Sequence, residues 1–112
     1  MPHYFCKLRP PRATFITDMS SDEAQLMRAH REYWTPRVET GLVVAMGPVA
    51  DPAGGYGVAI IEAASEAVLE AMQAADPVIA SGRGFVYENR PMLGIAVRPS
   101  QPPLTPITSV AP

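Results

Sequence analysis

The chain has 112 residues, of which 47% are hydrophobic and 18% charged, and this length and composition predict a single globular domain. A formal net charge of −2 without any basic block predicts no nucleic-acid partner, because binding to a phosphate backbone depends on clustered Lys and Arg. One cysteine, an N-terminus too short and broken for a signal peptide, and no apolar run near about 18 residues predict a cytoplasmic protein without a membrane partner.

The first elements in chain order are a strand and a long helix. The strand covers 3–8, HYFCKL. Aromatic and apolar residues occur at both odd and even positions, which indicates burial on both faces. The helix covers 20–40. Ser20 and Glu23 have the spacing of a capping box, and Gly41 suits the position just past the helix end.

The second half of the chain predicts two buried strands, a helix and a final strand. These elements cover 42–49, 56–62, 65–76 and 85–97. Ser65 is placed to cap the second helix, and DPVIASG after it, at 76–82, predicts a short turn or a single helical turn. Pro91 interrupts the last segment and predicts a bend or two short strands.

The predicted order of elements is βαββαβ, which is the ferredoxin-like arrangement in the α+β class. Right-handed crossovers place both helices on one face of a four-stranded antiparallel sheet. The other face then carries large apolar side chains from LVVAM and VAII. Because an apolar patch of that kind normally marks an interface, we predict a homodimer whose sheets pack face to face or share a barrel.

The prolines divide the chain into a folded domain over 1–98 and a tail over 99–112. Five of the 13 prolines fall in the tail, PSQPPLTPITSVAP. Proline favours polyproline II and excludes the interior of sheets and helices, so the tail is predicted to be extended or disordered. It is either a passive tail or a segment that binds a groove on a partner or a second subunit.

His30 and Asp51 are the leading candidates for chemistry. His30 lies within the apolar arc of the helix over 20–40, and an imidazole exchanges protons near neutral pH. Asp51 lies in ADPAGGYG, where glycines allow a close approach, and is predicted to orient the imidazole. The alternatives are a core histidine bonded to a backbone carbonyl and an aspartate bonded to its own turn.

Four further residues are candidates for substrate binding. Asp76 is either a third polar group of the site or the cap of a short helix beginning at the next proline. Arg12 is either a partner for a substrate carboxylate or a solvated loop charge. Tyr33 and Tyr56 are candidates for the walls of an aromatic pocket. The sequence has no Cys/His spacing for zinc and predicts no metal site.

The motifs HREYW, GPV, ADPAGGYG and ADPVIASG, in this order and over 4–91, resemble the YCII-related proteins. The resemblance implies dimers of ferredoxin-like subunits that form a dimeric α/β barrel similar to that of muconolactone isomerase. It also implies a His–Asp pair in a pocket of each subunit. His30 matches the family's histidine, Asp51 matches the acidic position in the loop after GP, and Asp76 matches the DP near the last strand.

These observations together predict a small enzyme without cofactor or metal that isomerises a small organic ligand or eliminates a leaving group from it. His30 is the predicted general acid or base, Asp51 its partner, and Arg12 the residue that holds an anionic substrate group. The alternative is a non-catalytic module that binds a small molecule or a partner protein. An oxygenase that needs no cofactor is a third possibility that no sequence feature selects.

Overall fold

The structure, a computed structural model, describes residues 1–99 and contains four strands and four helices in that range. The predicted tail, 99–112, lies outside the described residues except for residue 99. The elements are β1 (His3–Arg9), α1 (Phe15–Asp18), α2 (Ser21–Glu39), β2 (Val43–Val49), β3 (Tyr56–Glu62), α3 (Glu66–Ala74), α4 (Pro77–Ala80) and β4 (Val86–Pro91).

The strands form one antiparallel sheet in the order β2-β3-β1-β4, which confirms the predicted ferredoxin-like fold. Cys6 of β1 lies opposite Ala59 of β3 on one side and Asn89 of β4 on the other. A register shift between Val43 and Ala45 marks a bulge near the start of β2. β1 and β3 therefore form the centre of the sheet, and β2 and β4 form its edges.

The positions of two elements differ from the prediction. Phe15–Asp18, which lies between the predicted first strand and first helix, forms the helical turn α1, because Phe15 is fully buried and its ring packs edge-on against Phe85 at 5.3 Å. The final strand ends at Pro91, whereas strand material was predicted as far as residue 97. A proline offers no N–H to continue a ladder.

The hydrophobic core lies between the sheet and the two long helices. β1 alternates strictly, with Tyr4, Cys6 and Leu8 buried on the helix side and Phe5 exposed on the other, so the predicted burial on both faces is not found in the single chain. Trp34 of α2 and Leu69 of α3 pack on that side. Burial raises the pKa of the Cys6 thiol to about 12, so this cysteine is a packed core residue and not a nucleophile. Within residues 1–99, the helices fall short of the length and apolarity that a bilayer crossing needs.

The other face of the sheet carries side chains that alternate with the core residues. Phe5 is 38% exposed there, and the ammonium group of Lys7 lies 4.3 Å from the ring centre of Tyr56. The face therefore combines aromatic and aliphatic surface with a positive charge. Its predicted pairing with a second copy in a dimeric barrel stays a prediction.

The glycines after β2 serve close packing against α1. A Cβ at Gly54 would lie 3.1 Å from Ala13, and one at Gly55 would overlap the Cδ1 atom of Ile16. Gly54 also has φ +134°, which side-chain-bearing residues rarely adopt. The loop that begins at Asp51 is thus held against the segment before α2.

Candidate active site

His30 is a polar residue on the buried stripe of α2. The helix begins with a complete capping box, in which Ser20 Oγ accepts the N–H of Glu23 and Glu23 Oε1 accepts the N–H of Ser20. Met27, His30 and Trp34 follow at intervals of three and four residues, and all three are buried. The helical period thereby places an imidazole, only 5% exposed, against the rest of the core.

The carboxylate of Asp76 is fully buried beside this ring. Asp76 is the N-cap of α4, and its Oδ1 atom accepts the N–H of Val78 at 3.0 Å. Its Oδ2 atom lies 2.8 Å from His30 Nδ1 and accepts hydrogen bonds from Trp34 Nε1 at 2.8 Å and from the Tyr87 hydroxyl at 2.7 Å. Four contacts therefore satisfy a carboxylate that would otherwise be very costly to bury.

Asp76 is ionised at neutral pH. Burial alone would raise the pKa of its carboxyl, but the hydrogen bond and charge of His30 and the donors Trp34 and Tyr87 outweigh burial and lower it. Burial and the neighbouring carboxylate raise the pKa of Tyr87, so this hydroxyl keeps its proton. The centre of the site is therefore a negatively charged carboxylate surrounded by donors, one of which is the His30 ring.

This charge determines which nitrogen of His30 carries the proton. An ionised carboxylate only accepts hydrogen bonds, so the contact at Oδ2 requires a proton on Nδ1. The neutral ring then has its lone pair on Nε2. No hydrogen-bond partner for Nε2 is present in residues 1–99, and no side-chain nitrogen or oxygen there is both fully buried and unpaired. Nε2 therefore reaches the solvent through the 6% of the side chain that is exposed.

The predicted pairing of His30 with Asp51 is wrong, because the carboxylate beside the imidazole belongs to Asp76. Asp51 is exposed, and its Oδ1 atom accepts the N–H of Ala53 at 2.8 Å. Its carbonyl oxygen accepts the N–H of Gly54. Asp51 thus adopts the alternative that the sequence left open, an aspartate that stabilises its own turn.

Arg12 forms ion pairs within the chain. Its guanidinium binds Glu23 through Nη1 and Nη2, both at 2.8 Å, and Asp18 through Nε at 2.8 Å. The hydrogen bonds from Arg12 lower the pKa of Glu23 to about 2. Glu23 thus forms the bidentate pair with Arg12 that was expected for a substrate carboxylate. A substrate would have to displace Glu23 to bind there.

The two tyrosines predicted to line a pocket form no hydrogen bond with His30 or Asp76 in the described residues, and the Tyr33 ring packs edge-on against Trp34. The Tyr33 hydroxyl donates to the carbonyl of Met72 at 2.6 Å, and Tyr56 lies on the opposite face of the sheet under Lys7. Of the six predicted site residues, the structure brings His30 and Asp76 into contact, and the other four have different partners. In residues 1–99, no three His, Cys, Asp or Glu side chains form a cluster suited to a metal ion.

Trp34 and Tyr87 are site residues that sequence reasoning did not assign. The Trp34 ring belongs to the core, since only 1% of the residue is exposed. Its indole N–H, however, needs a buried acceptor. Tyr87 lies on the helix side of β4, where a hydroxyl likewise needs a partner. The available signal was that Trp34 and Tyr87 each carry a polar group on an aromatic ring, at positions whose periodicity predicts burial.

The family of the chain follows from comparison with known families. The model of the YCII-related domain matches residues 4–93, so the chain belongs to the YCII-related family. No curated protein matches the chain.

Proposed function

We propose that this member of the YCII-related family is an enzyme without a cofactor that moves protons on a small organic molecule, with His30 as the general acid or base. The observation that carries the proposal is the buried contact of 2.8 Å between His30 Nδ1 and Asp76 Oδ2. Asp76 takes the orienting role that the sequence analysis gave to Asp51. The reaction class is isomerisation or elimination.

The chemistry follows from the solvent-reaching lone pair on Nε2. Nε2 removes a proton from a carbon next to an electron-withdrawing group, and the electron pair of that C–H bond moves into the substrate. In an isomerisation the imidazolium returns the proton at another atom. In an elimination the electron pair expels a leaving group, which takes the proton. Positioned acid–base groups of this kind contribute about 10²- to 10⁴-fold to a rate.

Asp76 stabilises the imidazolium that forms in either reaction. Its negative charge lies beside Nδ1 and is held there by Trp34, Tyr87 and the backbone of α4. Because these donors are in place before the reaction, little reorganisation is needed when the ring gains its charge. The same donors keep Nδ1 as the protonated nitrogen and Nε2 as the base.

The proposal is tested by exchanging each of the two histidines separately. We expect His30→Gln to abolish turnover in a screen of lactones and halogenated phenols, whereas His3→Gln, a change near the chain start, leaves it intact. Diethyl pyrocarbonate, which acylates unprotonated imidazole nitrogens, should modify His30 in the native protein. Unchanged turnover by His30→Gln, or a His30 ring that the reagent never reaches, would remove the assigned role.

We also propose that the protein acts as a cytoplasmic homodimer formed through the open face of the sheet. Support comes from the exposed ring of Phe5 on that face. Val58 and Ile60 of β3 lie on the same face and are half-buried. Light scattering at micromolar concentration should give twice the 12.0 kDa mass of one chain. A mass of one chain, unchanged in Phe5→Ser, contradicts the dimer.

A further inference from the structure

We propose that a surface cleft about one to two helical turns along α2 from His30 binds the carboxylate of the substrate and that Arg83 is the residue that holds it. The cleft has a volume of about 580 Å³ and lies between the first turns of α2 and the connection from α4 to β4. Its lining residues are Asp22, Gln25, Leu26, Ser81 and Arg83. The inference rests on the proposed function and adds the substrate class and the residue that selects it.

Neither His30 nor Asp76 lines the cleft, but a helix connects each wall with one of them. On α2, Leu26 precedes His30 by four residues and therefore lies on the same face of the helix, one turn away. On the other wall, Ser81 is the C-cap of α4, and the N-cap of α4 is Asp76. At about 1.5 Å per residue, the α2 wall extends from roughly 6 to 12 Å from His30. A substrate held at Arg83 must therefore extend about one helical turn beyond Leu26 to meet the imidazole.

The backbone around Arg83 presents its side chain at the cleft. Gly82 and Gly84 on either side have φ values of +68° and +94°, so the chain turns sharply through the arginine. The Arg83 N–H donates to Ser81 Oγ at 3.2 Å, and that hydroxyl donates to the carbonyl of Val78 at 2.7 Å. The turn is therefore tied to α4 and keeps Arg83 beside the cleft.

The guanidinium of Arg83 has no ion pair or hydrogen bond within residues 1–99. Arg12, by contrast, has both Glu23 and Asp18 as partners and is occupied. A guanidinium binds a carboxylate through two parallel hydrogen bonds, which suits an anchor that fixes orientation as well as position. Arg83 thus takes the anion-binding role that the sequence analysis assigned to Arg12.

The opposite wall narrows the class of carboxylate. The carboxylate of Asp22 lines the cleft without a partner in the described part of the chain, and the amide of Gln25 lies beside it. An unpaired negative charge repels a second anionic group and accepts a hydrogen bond from a hydroxyl or amino group. Leu26 offers apolar contact. The cleft therefore selects small monocarboxylates that carry a hydroxyl or amino group, against phosphates and dicarboxylates.

The first experiment compares benzoate with benzamide, a neutral molecule of the same shape, by following backbone amide shifts of the full chain during titration. Benzoate should bind more tightly and shift residues around Arg83 and Leu26. Since a hydrogen bond to a charged group contributes about tenfold or more to affinity, Arg83→Gln should weaken benzoate binding at least tenfold. Arg28→Gln, which removes the same charge from an exposed site on α2, should leave it unchanged.

Asp22→Asn should change benzoate affinity in the opposite direction to Arg83→Gln. Removing this charge should tighten benzoate binding, because the repulsion across the cleft disappears, and should leave benzamide binding unchanged. Equal affinity for benzoate and benzamide, or benzoate binding that survives Arg83→Gln, overturns the proposal. So does an Asp22→Asn variant that binds benzoate more weakly.

A protection experiment separates this inference from the proposed function. If the cleft holds the substrate, saturating benzoate should slow the acylation of His30 by diethyl pyrocarbonate, and Arg83→Gln should remove the protection. Benzoate binding that depends on Arg83 but leaves His30 equally reactive overturns the inference and leaves the acid–base proposal standing. A His30 that resists the reagent without benzoate present contradicts the acid–base proposal instead.

Discussion

Replacing Asp76 by Asn keeps the shape of the side chain but removes its charge and one of its two acceptor atoms. Oδ2 faces the indole N–H of Trp34, and Oδ1 faces the backbone N–H of Val78. The NH₂ group of Asn must face one of these two donors, and neither can accept a hydrogen bond. The Tyr87 hydroxyl and the His30 ring can accept a hydrogen bond instead of donating one. The donor left without an acceptor is therefore the N–H of Trp34 or of Val78.

The magnitude follows from this conflict and from the lost charge. A buried donor without an acceptor costs about 1–3 kcal/mol, and removing one member of a buried ion pair costs about 3–5 kcal/mol in measured cases. Because Asn retains one acceptor, we expect Asp76→Asn to lower the free energy of unfolding by about 3 kcal/mol. That is a large part of the roughly 5–15 kcal/mol typical of a domain.

Urea unfolding followed by far-ultraviolet circular dichroism measures the change, with Asp51→Asn as the matched control. Asp51 is exposed, and an Asn there still accepts the Ala53 N–H, so this variant should change stability by less than about 0.5 kcal/mol. The reasoning is refuted if Asp51→Asn destabilises as much as Asp76→Asn, or if Asp76→Asn is as stable as the wild type.

Three further predictions concern the same contacts and the glycine loop. The folded state lowers the pKa of Asp76, so its carboxylate contributes stability that is present above the unfolded pKa near 3.9 and is lost as the pH falls through the folded pKa. Urea titrations from about pH 6 down to about pH 2 should show a steeper loss for the wild type than for Asp76→Asn, and equal slopes would contradict this. Tyr87→Phe removes one donor to the carboxylate and should cost about 1.5–3 kcal/mol in urea unfolding; no change would mean that this hydroxyl does not support Asp76. Gly54→Ala would place a Cβ 3.1 Å from the Ala13 backbone at a φ of +134° and should cost about 1–3 kcal/mol in thermal melts. Gly57→Ala, whose Cβ would meet its nearest atom at 3.5 Å, should cost less, and the reverse order would disprove the packing argument.

Local patterns predict most of the fold because they are read over neighbouring residues. The Ser20–Glu23 spacing places the start of α2 to within one residue, and the apolar runs locate β2 and β3. The helical turn α1 was missed because four residues carry no periodic signal. It is stabilised by contacts with distant parts of the chain, such as that between Phe15 and Phe85.

The candidate site was predictable only in part. The helical period predicts a buried His30 without any knowledge of the rest of the chain. The choice of its partner does not follow in the same way, because Asp51 and Asp76 both precede a proline and both suit a turn or a cap. The packing of α4 against α2, 46 residues apart at the contact, decides between them. Tyr87 was missed because its role also depends on that packing.

The most direct test of the central claim is the position of the proton on the His30 ring. Nitrogen-15 NMR of labelled protein, at a pH where this ring is neutral, distinguishes the two nitrogens. Asp76 as an ionised acceptor predicts a proton on Nδ1 and a bare Nε2 in the wild type. A wild-type ring that carries its proton on Nε2 would contradict the account, since no base would then face the solvent.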